Sequence, residues 1–196
     1  MTELSQALDS VQSAQAFRSI LQAMSKPGHA VNLAADPTAK SGLLPTTSVL
    51  IQTLCDFQTP IWLHHELAQD STIRSIKFHT GAPLTSNPAE AAFAVLSATQ
   101  KLPPLSAFAQ GTHEYPDRST TLIIEVEGFT PQGVALTGPG LKDVSHFGVQ
   151  GLDVDFWQQL IANNRQYPLG VDVIFASPTQ IACCPRSTTI MLKEIA

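Results

Sequence analysis

Apolar residues recur at three- and four-residue intervals over residues 11–25, through Val11, Ala14, Phe17, Leu21 and Met24. That period is helical and gathers the five on one face, the face expected to meet a core. Asp9 or Ser10 supplies an N-cap. Lys26-Pro27-Gly28 ends the helix, because the residue before a proline is biased out of the helical region. Residues 29–34 read as a short strand and 36–44 as a loop. A second helix, capped by Thr46 or Thr47, is expected through Val49, Leu50, Thr53 and Leu54. Residues 60–64 (PIWLH) are strand-like. A third amphipathic helix over 66–78 uses Leu67, Ile73, Ile76 and Lys77, and 91–96 is an apolar strand. The stretch 97–119 is loosely structured, with a helical turn expected at 104–110.

After Gly111 the pattern turns to strands. Residues 120–127 (TTLIIEVE) and 134–137 (VALT) flank a Pro-Gln-Gly turn, which predicts an antiparallel hairpin. A helix over 153–163 has Asp153 as its cap and Phe156, Leu160 and Ile161 inward. Strands follow at 171–176 and 181–184, joined by a turn at 177–180. The segment TIMLKEI at 189–195 is a further strand or a terminal helical turn. Helices alternating with strands early and hairpins late predict a three-layer α/β/α domain with a mixed sheet, in one unit over residues 1–196.

The chain has 196 residues, which suffices for one sizeable core without a metal or disulfide staple. Charged residues are only 14% and the formal net charge is −5. That balance excludes a generally basic nucleic-acid surface. The scarcity of charge fits either an uncharged polar surface or one covered by partner subunits. The start MTELSQALDS lacks the basic and apolar regions of a signal peptide, and apolar runs end well short of a membrane span. Three cysteines, two of them adjacent, form no disulfide framework. A cytoplasmic location with reduced thiols is the expectation.

Common phosphate-loop, dinucleotide, zinc-protease and nucleophile-elbow motifs are missing from the sequence. Cys183-Cys184 is a poor metal pair, because adjacent strand residues point to opposite faces. No metal site and no catalytic residue is expected. One candidate ligand site remains. Gly138 and Gly140, in the turn LTGPG after a strand, allow close backbone approach to an anion, although Pro139 removes one donor. Arg186, in PRST, brings a rigid fork of donors suited to phosphate or phosphonate. His79 would stand at the edge of that site. The competing readings are a hairpin-exit turn for the glycines, a strand-tying salt bridge for Arg186, and a helix-terminus charge for His79.

Several of these segments carry a resemblance. FRSILQAMSKPG (17–28), TTSVLIQTLCD (46–56), TPIWL (59–63), IKFHTGAPL (76–84), LTGPG (136–140), YPLGVDVIF (167–175) and PRSTT (185–189) follow one another in the order of the PhnH family. That family supplies a subunit of the bacterial carbon–phosphorus lyase system. Ser187 stands where threonine is expected, and the cysteine pair replaces plainer apolar residues. The resemblance implies a fold similar to type I pyridoxal-phosphate transferases, without the cofactor lysine and without cofactor. It implies a homodimer in isolation and association with PhnG, PhnI and PhnJ in the lyase core. That core transfers a phosphonate to the ribose C1 of a nucleoside triphosphate, with the radical and nucleosidase chemistry held by other subunits. The chain is thus expected to be an accessory, non-catalytic subunit. The alternative is a stand-alone enzyme or binding protein for a phosphonate, nucleotide or phosphorylated intermediate.

Overall fold

The computed structural model describes residues 7–38 and 41–192. A six-stranded sheet forms its centre, in the order β1 (Val31–Asn32), β8 (Gln180–Cys184), β7 (Asp172–Ala176), β4 (Thr121–Glu125), β3 (Phe93–Ser97), β2 (Ile61–Leu63). Strands β2, β3, β4 and β7 run parallel, while β8 is antiparallel to β7 and β1 antiparallel to β8. Three consecutive residues of β4, Leu122, Ile123 and Ile124, are all fully buried. Such unbroken apolar runs are what a sheet covered on both faces requires.

The strand alternation separates two cores. On one face Val95, Ile123, Ile174, Ile181 and Cys183 meet helices α1 (Ser10–Ser25), α2 (Pro45–Leu54) and α3 (Asp70–Thr80). On the other face Ala94, Leu96, Leu122, Phe175 and Cys184 meet α4 (Val154–Asn164) and a second sheet. That second sheet is β6 (Ser145–Val149), β5 (Phe129–Thr137) and β9 (Thr189–Met191), paired antiparallel throughout. The mixed α/β fold is therefore as expected, but its outer layers differ. One is helical; the other combines a single helix with a three-stranded sheet.

Three local expectations are corrected. The hairpin between 120–127 and 134–137 does not form. β4 is claimed on both sides by β3 and β7, and β5 pairs instead with β6. The Pro131-Gln132-Gly133 segment is an irregularity within β5, between Thr130 and Val134, rather than a turn. β6 was not anticipated from the pattern, which is interrupted by His146 and Gly148.

The second correction is the inward face of α1. Ala16, Ile20 and Ala23 are buried, whereas Val11, Phe17 and Leu21 remain 62%, 46% and 52% exposed. The more prominent periodicity belongs to the outer side. The capping expectation does hold at this helix: Asp9 accepts from Gln12 N–H at 2.7 Å, and Gln12 returns a bond to Asp9 N–H at 2.9 Å. Asp153 caps α4 in the same manner, accepting from Phe156 N–H at 2.9 Å.

The third is the start of α2. Leu44 is the N-cap and Pro45 opens the helix, so neither threonine caps it. Thr46 donates instead to the Ser177 carbonyl, tying α2 to the end of β7. Residues 97–119 hold two short 3-10 turns, Leu105–Ala107, where the helical turn is expected, and Pro116–Arg118. The ending Thr189–Met191 is a strand, and residues 193–195 lie outside the described residues.

Candidate functional site

Arg186 follows β8 and Pro185. The β7–β8 register pairs Val173 with Cys184, so Asp172 lies just across from the chain as it leaves β8. Arg186 N–H donates to Asp172 Oδ1 at 2.8 Å, and its Nε–H lies 3.2 Å from each carboxylate oxygen. Nη1 donates to the Pro116 carbonyl at 2.8 Å and to the Pro168 carbonyl at 3.4 Å. Nη2 donates to Ser119 Oγ and to Asp172 Oδ2. All five guanidinium N–H groups thus have acceptors within the chain. The ion pair is mostly buried, with the two side chains 13% and 16% exposed. Asn164 Nδ2 donates to the Arg186 carbonyl at 2.9 Å, fastening the same residue to the end of α4.

The glycine turn reaches this region from the second sheet. A Cβ on Gly140, at φ +86°, would lie 2.0 Å from the Ser25 carbonyl; one on Gly138 would lie 3.1 Å from the Ser187 carbonyl. Only glycine lets the turn press against both the end of α1 and the PRST segment. Between them is a cleft of about 410 Å³, bordered by Met24 and Ser25, Pro139 and Gly140, Tyr167, and Asp172 with Arg186 and Ser187. Arg186 and the glycine turn are therefore brought together. His79 is not. It sits in the last turn of α3 and borders a small cavity with Leu43, Ser48 and Gln52 of the α2 region. Burial holds its imidazole below the usual histidine range. Gly81 ends that helix in the left-handed conformation, which puts Lys77 in the last turn, where a cation interacts favourably with the helix dipole.

Segments far apart in sequence meet at this cleft: SKPG after α1, GPG after β5, YPLG before β7 and PRST after β8. They are the same blocks that suggested a family. The family model described as "Bacterial phosphonate metabolism protein (PhnH)" matches residues 6–191. The chain belongs to the PhnH family. A Rhizobium meliloti (strain 1021) protein named alpha-D-ribose 1-methylphosphonate 5-triphosphate synthase subunit PhnH is 35% identical over 175 residues. The match covers 89% of this chain and 88% of the relative. A Stutzerimonas stutzeri protein, provisionally described as a C-P lyase subunit protein, HtxG, is 34% identical over 180 residues, covering 91% of this chain and 85% of the relative.

In this PhnH-family chain the three thiols are sequestered. Burial pushes the Cys55 and Cys184 thiols up to about 12, and raises Cys183 further. Thiols in that state are poor nucleophiles at neutral pH. Lys26, Lys77, Lys101 and Lys142 are solvent-exposed, while Lys40 and Lys193 lie outside the described residues. No cluster of three His, Cys, Asp or Glu side chains with metal-binding geometry occurs among the described residues. Among these residues, no helix is long and apolar enough to cross a membrane.

Sequence reasoning missed the partners of Arg186. Asp172 was hidden inside the apparent strand YPLGVDVIF, and Ser119 and Pro116 lie in the stretch read as loose. A lone aspartate at the start of an otherwise apolar strand was the available signal. Glu125, at the end of β4, was missed in the same way. It is buried and accepts the Leu44 N–H at 2.6 Å, which anchors the residue that caps α2. Burial raises its carboxyl above the usual range, and the Leu44 bond opposes that rise.

Proposed function

We propose that the chain is a non-catalytic accessory subunit of the carbon–phosphorus lyase core. In this reading it supports transfer of a phosphonate to the ribose C1 of a nucleoside triphosphate during organic phosphonate catabolism. It is cytoplasmic, a homodimer in isolation, and associates with PhnG, PhnI and PhnJ in the working complex. The observation that carries the reading is the state of Arg186. The most ligand-like cation of the chain has all its N–H groups directed to Asp172, Ser119, Pro116 and Pro168, in a chain related along nearly its whole length to a named synthase subunit. A residue so engaged shapes its surroundings rather than receiving substrate. An anion at the cleft would have to compete with Asp172 for the guanidinium. The scarcity of charge, at 14% of residues, also suits a surface that meets other subunits.

Reconstitution tests this. The core assembled with this chain converts methylphosphonate and ATP to the ribose-linked phosphonate, and the core lacking it does not. The isolated chain turns over neither compound. Turnover by the isolated chain, or saturable phosphate or phosphonate binding lost in Arg186→Lys, would move the reading to an enzyme or a ligand-binding protein.

A further inference from the structure

We propose that the exposed flank of α1 docks a helix of a different subunit, one whose own apolar stripe is bordered by carboxylates. The inference rests on the accessory-subunit reading. Isolated exposed apolar residues are ordinary. Here the pattern is not isolated. Ala14, Phe17, Leu21 and Met24 follow the 3-4-3 spacing of a helix-pairing seam, and the first three are exposed. The helix therefore carries two apolar stripes. Ala16, Ile20 and Ala23 serve its own core; the bulkier stripe is exposed at Ala14, Phe17 and Leu21, and only Met24 at its end packs partly against that core.

Charge decides between a second copy and a different partner. From Ser10 to Ser25 the helix has one charged residue, Arg18, and Lys26 is its C-cap. Arg18 borders the exposed stripe near its middle. In a parallel self-pairing each residue is level with its own copy, and in an antiparallel one centred on this stripe residue 18 is again nearly level with residue 18. The antiparallel arrangement brings like charges together, and the parallel one sets the two arginines on opposite sides of the seam with no partner for either. Asp9, the carboxylate closest to Arg18 in sequence, already accepts from its own helix as the N-cap. A foreign helix with Asp or Glu beside its stripe removes the repulsion and adds a favourable pair. The apolar surface also continues beyond the helix. Met24, where the stripe ends, borders the 410 Å³ cleft together with Tyr167, itself 62% exposed.

The test is co-expression of the untagged chain with the other core subunits, one of them tagged, followed by capture on that tag. The wild-type chain is retained in stoichiometric amount. Phe17→Glu and Leu21→Glu each lower retention at least about tenfold, as loss of a central apolar contact does, and Arg18→Glu lowers it less. The isolated variants keep the melting temperature and the light-scattering mass of the wild type. A photo-crosslinking residue in place of Ala14 captures a partner peptide with apolar residues at helical spacing and an adjacent Asp or Glu. Undiminished retention of both glutamate variants overturns the docking surface while leaving the accessory reading intact. Crosslinking to the chain's own copy, or loss of dimer mass in the isolated variants, assigns the stripe to a second copy and also overturns it. Failure of the wild-type chain to be captured defeats both readings together.

Discussion

Arg186 and the outer flank of α1 can both be read from the sequence as serving the interior, and only the arginine does so. The arginine reads either as a donor for a ligand or as a strand-tying salt bridge, and the structure commits every one of its N–H groups internally, as the second reading has it. The α1 stripe reads as a core face, and the structure leaves Phe17 and Leu21 about half exposed. The difference shows where unsatisfied chemistry remains. A charge buried without partners is costly, so a buried arginine must find them, and once it does it has little left for a ligand. An exposed apolar side chain keeps its transfer free energy in reserve until another surface covers it. By this comparison the exposed stripe, and not the guanidinium, is what remains free to make new contacts.

The contrast breaks most visibly at the buried pair. Arg186→Ala leaves Asp172 buried without its cation, and such losses cost about 3–5 kcal/mol. For a domain of this size that lowers the melting temperature by roughly 6–20 °C in thermal unfolding. Asp172→Leu combined with Arg186→Met recovers part of the loss, because no uncompensated charge remains. A loss of less than 1 kcal/mol in Arg186→Ala would show that the cluster does not hold these loops together.

Gly140→Ala sharpens the same region with a smaller effect. The added methyl meets the Ser25 carbonyl at a backbone angle disfavoured for alanine. Forced into such a conformation, the chain loses about 1–3 kcal/mol, measurable by urea unfolding. Glu125 gives a pH-dependent difference. Its folded-state carboxyl is raised above the ordinary value, so the neutral form is the one favoured by folding. Its contribution is complete below the unfolded-state value and is lost as pH rises through the folded-state value. Glu125→Gln keeps an acceptor for Leu44 N–H and removes that dependence. The wild type therefore loses stability relative to the variant as pH is raised from about 4.5 toward neutrality. At the exposed stripe the stability effect is smallest: Leu21→Ser changes unfolding by no more than about 0.5 kcal/mol.

Much of the fold was legible because strongly periodic segments declare themselves. Helices α1, α2, α3 and α4, and the strands of the central sheet, lie close to where hydrophobic spacing places them. What was hidden depended on competition between distant segments. Residues 120–127 have the makings of a hairpin strand, yet burial on both faces favours β3 and β7 as neighbours. In α1 the residues that pack inward are mainly small, Ala16 and Ala23 beside Ile20, so the larger apolar side chains dominate the periodicity while facing out. Close helix–sheet contact at alanines is a packing fact that a hydrophobicity pattern does not encode. At the cleft, the glycine turn and Arg186 were recognisable as unusual and do lie together. The strand-tying salt bridge offered for Arg186 is what the structure holds, but its partners could not be named, because Asp172 and the Pro116–Ser119 segment come from two other places in the chain. His79 shared only a residue type with that site, and α3 carries it elsewhere.

The most direct measurement of whether this chain acts through its surface is a titration of reconstituted turnover. Core complex lacking the chain is supplied with increasing amounts of wild type or Leu21→Ala, and ribose-linked phosphonate is quantified. The predicted result is a midpoint shifted several-fold to higher concentration for Leu21→Ala, with the same plateau, since under the proposed accessory function docking weakens and the chemical step is left as it was. Superimposed curves would contradict the assignment of the α1 stripe as a docking surface, and a lowered plateau at saturation would contradict a purely accessory role.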